Sequence, residues 1–201
     1  MRLRHSPGSP FVRKVMVVAH EHGLADHIEI VPTSVSPLRA NAELARDNPL
    51  MKVPALTTDD GQVLLDSPVI CEYLDGLGAG RKLFPPPSPA RWTALTQQAI
   101  ADGVTEAVIL CRYETLRPED KRWSGWTDGQ MQKARGGLAA LDLQGLAGAP
   151  TIGHIAIACA LGYLDFRFPD EGWRQRHPKL ATWYHDFEQT PSMRATKPPP
   201  A

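Results

Sequence analysis

The chain has 201 residues, enough for one large domain or two small ones, each with a real core. Lys+Arg and Asp+Glu both number 22, and the 42% hydrophobic and 22% charged shares are ordinary for a soluble globular protein. A net charge of zero leaves no basic footprint for nucleic acid or anionic membrane. No apolar run reaches the roughly 20 residues that span a bilayer. The opening "MRLRHSPGSP" is basic without the apolar core of a signal peptide, so the chain reads as mature and cytoplasmic.

"MRLRH" is a short strand candidate. "FVRKVMVVAHEHGL" carries Phe11, Val15, Val18 and Ala19 at helical spacing and closes on Gly23, a favoured residue just past a helix end. "HIEIV" is β-branched and alternating, which completes a βαβ unit. A helix near "LRANAELARDN" precedes "VPALTTDDGQVLLDS", where two apolar runs flank Asp60-Gly61, a tight-hairpin signal. Ser67-Pro68 then opens a helix, with Ser67 as the expected N-cap and Pro68 at the first helical position. The order β-α-β-α-β-β-α is that of a thioredoxin-like α/β domain, placed over residues 1–80.

"GAGRKLFPPPSP" interrupts the pattern, and residues 81–89 read as a linker. Residues 90–201 then read as an all-α domain, a helical bundle. Its candidates are "RWTALTQQAIADGVTEAVILCRYE", "DGQMQKARGGLAALD" (weakened by Gly136-Gly137), the strongly apolar "TIGHIAIACALGYLDFRF" and a last helix, "HPKLATWYHDFEQ". "TKPPPA" is a non-helical tail. Cys71, Cys111 and Cys159 are far apart and odd in number, each in an apolar context, so they read as buried thiols rather than disulfides or zinc ligands. His20 and His22 flank Glu21 but face different sides of a helix, and no metal site is indicated.

Three short stretches carry candidate chemistry. Ser9 precedes Pro10 at a helix start, where unpaired N–H groups and the helix dipole favour an anion such as a thiolate. Its hydroxyl can favour the ionised thiol; it can equally serve only as a cap. Val53-Pro54 precedes the hairpin, and a cis bond there would turn the Val53 backbone outward to pair with a peptide. Asp66 and Ser67 lie where a strand meets a helix N-terminus, with a carboxylate for an ammonium and an N–H and hydroxyl for a carboxylate. Taken singly, each is also an ordinary cap or turn. Together they suit a ligand with an amino-acid end, a peptide middle and a thiol, and glutathione has that form.

On these stretches the chain resembles the cytosolic glutathione transferases over nearly its full length. "SPFVRKV", "NPLMKVPAL" and "LLDSPVICEYL" look like the three glutathione-site motifs of that superfamily, in order. "SPFVRK", "ATWYHDF" and "CALGYLDFR" look closest to a bacterial, serine-type subgroup. The resemblance implies that Ser9, before Pro10-Phe11, activates the glutathione thiol, and that Ser6 does not. It implies further that Phe11 belongs to the glutathione site and that Val53 pairs with the cysteinyl backbone before a cis Pro54. Asp66 and Ser67 would hold the γ-glutamyl end, and Lys52 would meet the glycyl carboxylate. The expected reaction is conjugation of the glutathione thiolate to a small hydrophobic electrophile, since serine, unlike cysteine, forms no mixed disulfide with glutathione. The second substrate is expected in a cleft between domains, against the start of the long helix, with Asp102, Glu106 and Tyr113 as liners.

Two rival readings share the fold. One is a glutathione-dependent peroxidase, reductase, isomerase or dehalogenase; the other is a non-catalytic binding or regulatory protein. The resemblance also implies a homodimer, with glutathione as co-substrate and no metal. Two departures from the family pattern stand out. Met51 occupies a position where many members have glycine, and His154 takes the acidic place three residues after the capping Thr151. Because a histidine does not accept as a carboxylate does, that helix is expected to start more weakly or to rely on packing, with a bearing on stability more than on activity.

Overall fold

The computed structural model describes residues 1–144 and 146–199. Their contacts divide into two units: residues 1–85 with the segment that starts at Pro191, and residues 86–190. The last short helix therefore groups with the first unit rather than with the helical residues before it in sequence. Pro200 and Ala201, the end of the expected tail, lie outside the described residues.

The first unit holds β1 (Arg2–His5), α1 (Pro10–Glu21), β2 (Glu29–Pro32), α2 (Ala42–Asp47), β3 (Ala55–Thr57), β4 (Val63–Leu64) and α3 (Ser67–Leu77). The strands form one mixed sheet in the order β2-β1-β3-β4, with β1 parallel to β2 and antiparallel to β3. This is the expected thioredoxin-like arrangement. Its core joins Leu3 and Leu56 of the sheet to Val12, Val15, Val18 and Ala19 of α1 and Ile70, Cys71 and Leu74 of α3, all buried. Each large aliphatic side chain so buried contributes on the order of 1.5–3 kcal/mol. Helix α1 stops where Gly23 turns left-handed at φ 66°, as its sequence signals. The hairpin is looser than Asp60-Gly61 alone suggests. Residues 58–62 form the loop, closed by Thr58 N–H donating to the Gln62 carbonyl at 2.8 Å, and Gly61 takes φ 87°.

Arg4 on β1 is buried against α2, donating to Glu43 and Asp47 at 2.6 Å each. Those carboxylates raise its pKa further and tie the short helix to the sheet. A last helix, α9 (Pro191–Ala195), packs on α1. Ser192 donates to Glu21 at 2.5 Å and Arg13 to the Met193 carbonyl at 3.1 Å.

The second unit consists of α4 (Pro89–Thr115), α5 (Ser124–Gln144), α6 (Ile152–Arg167), α7 (Trp173–Arg176) and α8 (Pro178–Phe187). Every residue from Ile152 to Leu164 is buried, so α6 is apolar all round and forms the centre of its unit. Two glycines let neighbouring helices approach closely. A Cβ at Gly153 would come within 2.8 Å of the Ala94 carbonyl of α4, and one at Gly137 within 2.4 Å of Val104 Cγ2. Gly137 thus brings α5 against α4 without interrupting it. Asp142 on α5 accepts the Leu180 N–H at 3.0 Å and caps α8 from outside that helix.

The start of α6 corrects the expectation for His154. The Thr151 N–H donates to His154 Nδ1 at 3.2 Å, and the Thr151 hydroxyl lies 2.9 Å from the same nitrogen. A neutral imidazole fills the carboxylate's place in a capping box. An accepting Nδ1 leaves the ring proton on Nε2, which is buried without a partner among the described residues. Burial pushes the His154 pKa down and keeps the ring neutral.

Candidate active site

The sheet register assembles one end of the first unit from distant parts of the chain. Arg4 of β1 sits opposite Ala55 of β3, and Leu56 sits opposite Leu64 of β4. Continued by a residue or two, the same register brings three segments to one end of the sheet: the chain leaving β1, Val53-Pro54 entering β3 and Asp66-Ser67 leaving β4. The sequence-predicted residues Ser9, Phe11, Lys52, Val53, Pro54, Asp66 and Ser67 all sit on these segments.

Ser6 and Ser9 have separate roles in the first segment. The Ser6 carbonyl accepts the Ser9 N–H at 3.0 Å, closing a turn through Pro7 and Gly8. Ser9 is the N-cap of α1 with extended backbone, Pro10 follows at the first helical position, and the Ser9 hydroxyl accepts the Val12 N–H at 3.3 Å. The hydroxyl's own proton is uncommitted among the described residues. Ser9 and Phe11 are half-buried, with the Lys14 ammonium 5.5 Å from the centre of the Phe11 ring. His5, at the end of β1, is half-buried too, and desolvation pushes its imidazole down toward the neutral form.

The Val53-Pro54 peptide is cis. Val53 and Pro54 are buried, whereas Lys52 is exposed. The approach to them depends on Asn48, a buried residue that sequence reading passes over. Its side chain accepts the Leu50 N–H at 3.0 Å and donates to the Lys52 carbonyl at 2.9 Å, while its carbonyl accepts the Met51 N–H at 2.8 Å. The turn so fixed holds Met51 at φ 52°, in the left-handed region that favours glycine. The Asn-Pro pair at positions 48 and 49, a turn opener, is the one local signal for it.

At the third segment the N-cap of α3 is Asp66, not Ser67, which shifts the expected helix start by one residue. Asp66 Oδ1 takes the Ser67 N–H, so that donor is already engaged. The other Asp66 oxygen is uncommitted among the described residues. Ser67 is fully buried, and its hydroxyl has no partner among the described residues, an unpaired buried donor at the helix start.

Asp102, Glu106 and Tyr113 lie on the second unit, along one stripe of α4 at spacings of four and seven. Asp102 is half-buried, Glu106 is exposed and Tyr113 is 37% exposed. Desolvation raises the Tyr113 phenol above its ordinary value, with Tyr163 adding to the shift. A groove of about 560 Å³ lined by Met1, Asp26 and Asp59 is at the far end of the sheet and contains none of the predicted residues. All three cysteines are buried, and among the described residues none forms a disulfide. Among the described residues no His/Cys/Asp/Glu group could hold a metal ion, and no helix is long and apolar enough to cross a membrane.

The sequence matches the glutathione S-transferase N-terminal domain over residues 8–77 and the C-terminal domain over residues 124–186. It is 32% identical to the uncharacterized GST-like protein YibF of Escherichia coli strain K12 over 206 residues, covering 100% of both chains. The chain belongs to the glutathione S-transferase family. A glutathione transferase family member from Pseudomonas fluorescens Pf-5, solved with bound glutathione, superposes with a TM-score of 0.96 at 50% identity over 98% of each chain. A second structure from that organism, with bound S-(propanoic acid)-glutathione, gives 0.91 at 48% identity, over 99% of this chain and 100% of that one. The glutathione S-transferase domain that carries Ser9 is thus paired with the helical domain of the same family.

Proposed function

We propose that this glutathione S-transferase family member conjugates the glutathione thiolate to a small hydrophobic electrophile, with Ser9 stabilising the thiolate. The observation that carries the reading is the Ser9 hydroxyl. It accepts from Val12 N–H at the start of a twelve-residue helix and keeps its own proton free to donate. A sulfur placed there gains that hydrogen bond and the positive end of the helix dipole, both of which lower a thiol's pKa. Val53 offers main-chain pairing to the cysteinyl residue, the free Asp66 oxygen meets the α-ammonium, and the unpaired Ser67 hydroxyl meets the α-carboxylate. Phe11 borders the thiol end, and exposed Lys52 meets the glycyl carboxylate. Bound glutathione and an S-linked propanoic acid conjugate in the P. fluorescens structures support the glutathione half and a carbon-bound sulfur product.

Serine at this position favours conjugation over thiol–disulfide exchange, since no mixed disulfide forms on oxygen. Asp102, Glu106 and Tyr113 line the second substrate's place on α4. The protein acts as a cytoplasmic homodimer. Thiolate absorbance in the ultraviolet tests the central claim: glutathione bound to the wild type ionises near neutral pH, and glutathione bound to Ser9→Ala requires a higher pH. Equal titration curves for the two proteins would remove Ser9 from the mechanism.

A further inference from the structure

Within the second unit, α4 and α6 pack side by side and gather four side chains near their carboxyl-terminal ends: Arg112 and Tyr113 from α4, Tyr163 and Arg167 from α6. Tyr163 and Arg167 are four residues apart and share one face of α6. Several other arginines of the protein sit on carboxylates. Arg4 pairs with Glu43 and Asp47, Arg135 and Arg176 with Glu171, and Arg174 with Asp165. Arg112 and Arg167 have no carboxylate partner among the described residues and instead repel one another. The Arg167 guanidinium lies 3.7 Å from the centre of the Phe166 ring and is held in part by the Tyr163 phenol, while its Nε is buried without a hydrogen-bond partner among the described residues.

Such an arrangement is unfavourable by itself. Burial first, and then the charge of Arg112, push the Arg167 pKa down. A guanidinium nonetheless keeps its proton near neutrality, so its charge and its unpaired donor persist until an anion arrives. Tyr113 stays protonated at neutral pH and adds an O–H donor, and its 37% exposure opens the cluster to solvent. Two cationic forks, a phenol and aromatic carbon make a receptor for an organic oxyanion.

We propose that Arg112, Arg167 and Tyr113 bind the carboxylate of a small organic acid, and that the second substrate is an electrophile carrying that carboxylate on an apolar body. The second half rests on the reading of Tyr113 given under the proposed function.

The test is calorimetric titration of the full chain with 3,5-dinitrobenzoate, with its uncharged amide and with inorganic phosphate, alongside a separate titration with glutathione. The acid should bind about tenfold more tightly than the amide and than phosphate, the preference expected of one charge-assisted hydrogen bond. Arg167→Met and Arg112→Met should each erase that preference, while glutathione affinity and melting temperature are retained. Arg167→Lys, which keeps the charge but not the fork, should fall between. If Arg167→Met fails to fold, Arg112→Met, on the other helix, decides. Equal binding of acid and amide, no binding of either, phosphate as tight as the acid, or a preference that survives both variants overturns the receptor. A chain that binds the acid but not glutathione keeps the receptor and loses the transferase reading with its second substrate.

Discussion

The starts of α1 and α6 solve the same problem in opposite ways. Both helices open with unpaired N–H groups, and both have a hydroxyl residue at the N-cap. At α6 the cap is closed: the Thr151 N–H and hydroxyl both meet His154 Nδ1, and the residues that follow are buried on every side. At α1 the cap is open: Ser9 takes one N–H, stays half-buried and leaves its proton free. The same end of the sheet carries the unpaired Ser67 hydroxyl and the left-handed Met51. A closed cap contributes to stability, and an open one leaves donors for a ligand.

Ser9→Ala should break this contrast most visibly. Turnover of glutathione with 1-chloro-2,4-dinitrobenzene should fall by about 100-fold, the scale of a lost transition-state hydrogen bond or acid–base contact. Stability should fall by only about 1 kcal/mol, the worth of an N-cap. A large loss of stability with full turnover would make Ser9 a second closed cap and would remove the difference drawn above.

Gly137→Ala should do the reverse, lowering stability by about 1–3 kcal/mol through overpacking against the stiff, buried Val104. Its neighbour provides the control. A Cβ at Gly136 meets nothing within 4 Å, so Gly136→Ala should stabilise by about 0.5–1 kcal/mol through helix propensity alone. Chemical denaturation of the two variants side by side checks both signs. Similar shifts would mean that propensity, not close approach, governs α5.

The adjacent glycines also show what could be read from sequence. Local composition makes Gly136 and Gly137 look alike, and only the partner helix distinguishes them. The elements with strong local signals were legible: the alternating strands, the Gly23 stop, the long α4 and the apolar α6. So was the order of the three segments that the sheet gathers at one end, because each carries a proline or a cap residue beside a strand. What was not legible depended on partners distant in sequence. Arg4 gains its role from α2 carboxylates some forty residues away, and Asp142 caps a helix whose N–H lies 38 residues on. Helix α9 has five residues, too few to show a period. The cap at His154 is illegible for a chemical reason, since a neutral imidazole accepts at Nδ1 whereas the protonated ring does not.

That chemistry makes the closed cap sensitive to pH. The folded-state pKa of His154 lies below the ordinary 6.5, so the unfolded chain takes up its proton first as pH falls. Stability from this residue is complete above about pH 6.5 and drains away between there and the lower folded-state value. His154→Gln, which keeps an acceptor but does not titrate, should flatten the denaturation midpoint over that acid window relative to wild type. Coincident pH profiles for the two proteins would show that the ring nitrogen does not accept in solution.

The smallest expected effect belongs to the open end. At φ 52° Met51 bears the left-handed penalty of an L-residue, about 1–2 kcal/mol. Glycine removes that penalty but loses about 0.5–1 kcal/mol of it again through the greater freedom of the unfolded chain. Met51→Gly should therefore stabilise by about 0.5 kcal/mol, and Met51→Val, β-branched at positive φ, should destabilise by about 1 kcal/mol. Denaturation midpoints measure the pair. Opposite signs would mean that the Asn48 bonds hold the turn left-handed in solution, ready to present Val53 beside Ser9. A neutral valine would mean that the turn relaxes, and the approach to Pro54 would then be soft where the α6 cap is rigid.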